Sequence, residues 1–255
     1  MLDETNQKKH LDILFRNGCF KPREDFFVYR SGQIGPYFVQ SANVMTNGLD
    51  YQTAIKDMVE LVRHEKDSPD KDFVISGGER RDWIFSIPVA VNLGVGPTMI
   101  CKNGEILGAN MNGKKVVHVA DVNNEGSSPR DYWVPAIKSA GGRIDNIFFY
   151  IDRMEDGVQV MEDLGLRANS LVQLDGNAWD YMYARRYIDE KMYGALMERM
   201  GDRGAWARKM LRSEKGLARL AEINSITPDK VRAVLDKGYP DLKNEISELL
   251  SGVRF

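Results

Sequence analysis

Cysteine is scarce in this 255-residue chain: Cys19 and Cys101 are the only two. With three scattered histidines beside them, they exclude a disulfide framework and a zinc cluster, and both thiols read as packed side chains. No apolar run approaches the ~20 residues needed to span a bilayer. The opening Met1-Leu2-Asp3-Glu4 has no basic region followed by an apolar one, so a soluble cytoplasmic protein with no membrane association is expected. Internal repeats and low-complexity segments are also lacking, which excludes solenoids and compositional linkers. Charge of one sign is not in excess overall, but the net charge of -2 divides into -5 over residues 1–176 and +3 over 177–255.

What the chain has is 43% hydrophobic residues and a repeated alternation of short β-branched runs with helical patterns. Residues 3–17 carry Leu11, Ile13, Leu14 and Phe15 among polar neighbours and stop at Gly18, as an amphipathic helix does. Two strands joined by a turn follow, Asp25 to Arg30 and Pro36 to Gln40. A helix over 50–64 leads through Ser68-Pro69-Asp70 into a strand over 72–76. The segment Gly77-Gly78-Glu79-Arg80-Arg81 then turns into an apolar helix ending at Gly94. Further strands are expected at 97–101, 144–151 and 170–174, and helices at 128–140 and 155–164, the first of these kinked by Pro135. From Asn177 onward the pattern is helical, with Thr227-Pro228 opening one helix. Strands and helices in alternation predict an α/β fold, a parallel sheet flanked by helices with its site at the carboxyl ends of the strands.

The chain is organised around residues 114–129. Here an apolar run ending in Val119-Ala120-Asp121-Val122 passes through Asn123-Asn124-Glu125-Gly126-Ser127 to Ser128 and Pro129, an expected N-cap and first helical residue. A strand that feeds a helix through such a turn presents free backbone N–H groups and the positive end of a helix dipole, a general basis for holding phosphate. His118 within the strand reads as a hydrogen-bonded core or edge residue.

This run resembles the ribose-phosphate loop of type I phosphoribosyltransferases, in which two adjacent acids precede a small-residue, Gly-containing turn. Asp121 falls on the second acid and Ala120 on the first. Glu125 stands among the residues that cradle the 5-phosphate. Three further segments are similar to orotate phosphoribosyltransferases. Arg30-Ser31-Gly32 with Pro36-Tyr37-Phe38 matches their N-terminal segment, Gly77 to Arg81 their pyrophosphate loop, and Asp152-Arg153-Met154-Glu155 their Asp-Arg-Gln-Glu segment.

The resemblance implies roles for these residues. Asp121 and Lys102 would be catalytic. Gly77, Gly78, Arg80, Arg81, Lys102, Asp121, Asn123, Asn124, Glu125, Gly126, Ser127 and Ser128 would bind phosphoribosyl pyrophosphate, and Arg30, Phe38 and Arg153 a pyrimidine base. Magnesium is implied, held mainly by the ligand with Asp121 as its protein contact, and a homodimer is expected. The long hood of the family is replaced by the short turn Lys102-Asn103-Gly104-Glu105. Three segments are expected: 1–48 as N-terminal helix and hairpin, 49–176 as the phosphoribosyltransferase-like core, and 177–255 as a helical extension. Two functions then compete: an orotate-type phosphoribosyltransferase, and a catalytically inactive nucleotide sensor or regulator that binds RNA or protein. Seven basic against two acidic residues between Arg199 and Arg219 give the second its surface. Glu125 separates them, since a carboxylate ~4 Å from a phosphate charge costs about 4 kcal/mol at an effective dielectric of ~20.

Overall fold

A computed structural model describes residues 4–67 and 72–252, so the expected loop Ser68-Pro69-Asp70 lies outside the described residues. The chain divides into two compact units, residues 4–19 with 40–178, and residues 20–39 with 179–252. Among the described residues no helix is long and apolar enough to cross a membrane.

The first unit is built on a six-stranded sheet. In chain order its strands are β3 (Phe73–Gly78), β4 (Pro97–Ile100), β5 (Ile106–Gly108), β6 (Lys115–Asn123), β7 (Arg143–Asp152) and β8 (Arg167–Gln173). They lie in the order β5-β4-β3-β6-β7-β8, all parallel except the edge strand β5. The central strand β6 is almost continuously buried because helices cover both sheet faces, which is why it reads as an apolar run without alternation. On one face lie α1 (Glu4–Arg16), α2 (Gly48–Arg63) and α3 (Trp83–Leu93), where Phe85 stacks on Tyr150 at 4.8 Å. On the other, α4 (Val134–Ser139) and α5 (Gly157–Asp163) close over Val74, Val116, Ala120, Ile147 and Phe149.

Local sequence sets the helix ends. Asn47 caps α2 by accepting from the Leu49 and Asp50 amides at 3.0 and 3.2 Å. Gly18, with φ at 62°, closes α1 in the left-handed conformation while the Cys19 amide bonds the Leu14 carbonyl at 2.8 Å. One expectation fails. Ser128 is helical, at φ -65° and ψ -48°, and makes no side-chain cap. Its segment instead begins with a wide, π-type turn, Pro129–Trp133, in which the Val134 amide reaches back to the Pro129 carbonyl. Pro135 explains this, because it has no N–H to continue a regular ladder.

The second unit pairs β1 (Phe20–Val28) antiparallel with β2 (Ile34–Val39), with a register break between Pro22 and Phe27. Its helices are α7 (Glu190–Gly201), α8 (Arg203–Arg212), α9 (Glu214–Ile226), α10 (Pro228–Ala233) and α11 (Lys243–Gly252); α6 (Gly176–Ala184) runs into it in sequence. Asp189, Asp202 and Ser213 cap α7, α8 and α9 through their side chains. Phe26 and Ile34 of the hairpin sit in one apolar cluster with Trp206, Leu220, Val234 and Ile246. The hairpin therefore groups with the C-terminal helices and α1 with the sheet, a division that crosses the expected 1–48 segment.

Phe149 is fully buried at the centre of β7. Replacing it with alanine removes a ring whose space the close-packed sheet cannot refill, and Phe149→Ala is expected to lose about 3–5 kcal/mol in chemical denaturation. A loss below about 1 kcal/mol would contradict this core.

Candidate functional site

The carboxyl ends of β3, β6 and β7 carry the polar residues that sequence singles out, and the first unit brings several of them together. Asp121, near the end of β6, is buried and accepts from the Ser41 hydroxyl at 2.6 Å. The Arg81 Nε lies 3.5 Å from the same Asp121 oxygen, on a guanidinium side chain that is 51% exposed. A buried carboxylate thus meets a cation that faces solvent, which is how a site for an anion is laid out at its mouth.

Behind Asp121 sits Asp82, only 4% exposed. One of its oxygens accepts from the Asp121 amide at 3.0 Å, the other from the Gly78 amide at 2.9 Å. Burial, and for Asp121 the neighbouring Asp82 charge, push the two carboxyls up, Asp82 to about 6 and Asp121 to about 7. His118 is buried and stays neutral, driven down to about 3 by desolvation, with its Nδ1 2.8 Å from the Ser76 hydroxyl and its ring stacked on Trp133 at 4.2 Å. It is a hydrogen-bonded core histidine, as its place in the strand predicts.

The loop from Asn123 to Ser128 is tied to β7 and α5. The Asn123 side chain donates to Asp152 at 3.0 Å, the Arg153 amide to the Asn123 carbonyl at 3.1 Å, and the Gly157 amide to the Asn124 carbonyl at 2.9 Å. Gly126 adopts φ 68°, and a Cβ there would fall 2.6 Å from Val160. Only glycine makes this turn against α5. Asp131 directs its carboxylate to Arg130 at 2.7 and 3.0 Å. Nothing in the described chain accepts from the Gly126, Ser127 and Ser128 amides at the first turn of the helix. Glu125 is half-buried.

Other expected residues are placed differently. Gly77 and Gly78 belong to β3 and not to a turn, and they are glycines for packing reasons. A Cβ on Gly77 would lie 2.2 Å from the Ser86 hydroxyl, and one on Gly78 2.1 Å from the Trp133 Nε1. Arg80 is exposed beside a cis Glu79–Arg80 peptide. Lys102 is exposed in the tight turn between β4 and β5, its amide bonded to Glu79 at 2.9 Å, and among the described residues no contact brings its side chain to Asp121. Arg153 is 4% exposed and pairs at 2.9 Å with Glu155, whose side chain is 7% exposed. Arg30 and Phe38 belong to the second unit, Arg30 exposed after β1 and Phe38 packed on Phe27 at 5.8 Å.

Sequence reading missed Asp82 and Ser41. The one signal for Asp82 was an acid immediately before a helix. Ser41 carried no local signal. Among the described residues no group of three histidine, cysteine, aspartate or glutamate side chains is placed to hold a metal. Asp121, with one oxygen 3.5 Å from the exposed Arg81, is the carboxyl of this site that would meet a magnesium ion brought in by a ligand.

The chain was compared with known proteins. No protein-family profile matches it. It is 24% identical over 176 residues to the orotate phosphoribosyltransferase of Methanopyrus kandleri, covering 67% of this chain and 91% of that protein. Its fold is similar to Leishmania donovani UMP synthase, with TM-score 0.68 and 16% identity over 76% of this chain; that match spans 42% of the longer synthase, less than half its length. It is also similar to Mycobacterium tuberculosis orotate phosphoribosyltransferase solved with 5-phospho-α-D-ribosyl 1-diphosphate, with TM-score 0.50, 20% identity, and 68% of this chain and 98% of that one covered.

The carboxyl pair has a measurable signature. Both groups are protonated in the fold at pH values where the unfolded chain, at an ordinary 3.8, has released the proton. Their contribution is therefore full below about pH 4 and is lost as the pH rises through about 6 and 7. Denaturation of wild type and Asp121→Asn should show the variant gaining on the wild type from pH 5 to pH 8. A pH-independent difference would mean that Asp121 titrates as an exposed acid.

Proposed function

The chain is a divergent relative of the orotate phosphoribosyltransferases with the type I phosphoribosyltransferase fold, and from that premise we propose that it transfers phosphoribose from phosphoribosyl pyrophosphate to a pyrimidine base such as orotate. The observation that carries this reading is the uncapped amide turn at 126–128 in one site with Asp121 and its half-exposed partner Arg81. Backbone amides and the helix dipole there suit the 5-phosphate. Asp121 suits the sugar, whose positive charge in a loose transition state a nearby carboxylate stabilises. Arg81 suits the leaving pyrophosphate, which a guanidinium grips with paired hydrogen bonds. No covalent nucleophile is needed. Arg153 serves the base only by sharing its guanidinium with Glu155.

An RNA-binding role draws no support from the basic helices. Arg208 pairs with Asp241 at 3.0 Å, Lys209 with Glu198 at 2.7 Å, Arg212 with Glu245 at 2.7 Å, Lys215 with Glu24 at 2.5 Å and Arg219 with Glu222 at 2.5 Å. A face neutralised by its own carboxylates offers little counterion release to a phosphate backbone.

Calorimetry of the purified protein with phosphoribosyl pyrophosphate and magnesium chloride, followed by orotate, tests the proposal. Heat in the first titration and nucleotide product after the second are expected. Arg81→Ala should weaken phosphoribosyl pyrophosphate binding by roughly 10- to 100-fold, the worth of a hydrogen bond to a charged group. Binding without product would assign the chain to the sensor class, and no binding would remove the phosphosugar reading.

A further inference from the structure

Position 120 is where the resemblance asks for the first of two adjacent acids, and here it holds alanine. The side chain at 120 is fully buried in the apolar cluster with Trp133, Val134 and Phe149. A carboxylate there would have no partner and would carry the full cost of desolvation. The second carboxyl comes from a different part of the chain. Asp82 precedes α3, 39 residues from Asp121 in sequence, yet its two oxygens take the amides of Asp121 and Gly78, at the ends of adjacent strands.

The groups around this pair are one-sided. Ser41, from the turn after residue 40, and Arg81, from the loop before α3, reach Asp121. Asp82 has its two amides and, at 3.9 Å, the His118 Nε2 from β6. Gly78 leaves room for the Trp133 edge above it. Asp82 is thus fully engaged by the protein, and Asp121 keeps the side nearest Arg81.

We propose that Asp82 is a positioning residue for Asp121, supplying from the β3–α3 turn the second carboxyl that position 120 lacks. It acts through Asp121 and does not touch the ligand. By accepting from the Asp121 amide, it fixes the backbone from which the Asp121 oxygen turns toward Ser41 and Arg81. Asp82→Asn breaks this: an amide has one acceptor oxygen, and its NH2 group meets a backbone N–H with another donor.

The inference rests on the phosphoribosyl reading, and a double-mutant cycle separates the two. Binding of phosphoribosyl pyrophosphate with magnesium chloride is measured by calorimetry for wild type, Asp82→Asn, Asp121→Asn and the double variant. Asp82→Asn is expected to weaken binding about tenfold or more, and the double variant to be no weaker than Asp121→Asn alone. A merely structural role would give the same loss in both backgrounds. Wild-type binding with Asp82→Asn unchanged, or with losses that multiply, overturns the inference alone. A wild type that gives no heat overturns the phosphoribosyl reading and the inference with it. If Asp82→Asn does not fold, carboxyl-carbon NMR of the wild type decides: addition of phosphoribosyl pyrophosphate should move the Asp82 and Asp121 resonances together. An Asp82 signal that stays still while that of Asp121 moves overturns the proposal.

Discussion

Asp82 accepting two amides from neighbouring parallel strands is the constraint on which the site depends. Parallel strands end in amides and carbonyls that the sheet no longer pairs, and each must find a partner or water. Asp82 satisfies one amide at Gly78 on β3 and one at Asp121 on β6, and so holds the two strand ends at a fixed separation. The price is a buried acid, held up at about 6, beside a second at about 7. Gly78 follows from the same constraint, because any side chain there would strike Trp133 and Asp82.

The electrostatics are graded from inside to outside. His118 is neutral, the Asp82–Asp121 pair keeps protons well above the usual carboxylate range, and Arg81 presents its charge to solvent. A ligand entering this arrangement meets cation and backbone dipoles first and carboxyl second. Such an order favours an anionic group at the rim and a sugar deeper in, because a carboxylate exposed at the mouth would repel the phosphate. Arg153 differs: its charge is already balanced by Glu155, so it offers a ligand little net attraction.

Most of the sheet was legible because buried parallel strands are short β-branched runs, and helix starts carry their caps in adjacent residues. Distant pairings were not. Ser41 lies 80 residues from Asp121 and Asp82 lies 39 away, so no local pattern links them. The same blindness affects charge. Seven basic residues against two acidic ones between Arg199 and Arg219 suggest a basic face, but the balancing acids come from far outside the window: Glu24 for Lys215, Asp241 for Arg208, Glu245 for Arg212. Gly77 and Gly78 show the converse. Their place after a predicted strand suggested close approach to phosphate, whereas Ser86 and Trp133 are what approach them.

The β4–β5 hairpin bears on chemistry more than on binding. The turn over 101–105 is closed by the Cys101 amide on the Glu105 carbonyl at 2.9 Å, which leaves no slack for a lid between these two strands. A lid strengthens every charge interaction in the transition state by excluding water, while a ground-state grip of amides and a guanidinium on phosphate does not require one. Under the proposed function, a chain with the amide turn and the Asp121–Arg81 pair but only this short segment would favour affinity over rate. Under that reading, stabilisation of the sugar would fall chiefly on the orientation of one carboxylate, and orientation is what a buried, doubly bonded neighbour such as Asp82 can supply.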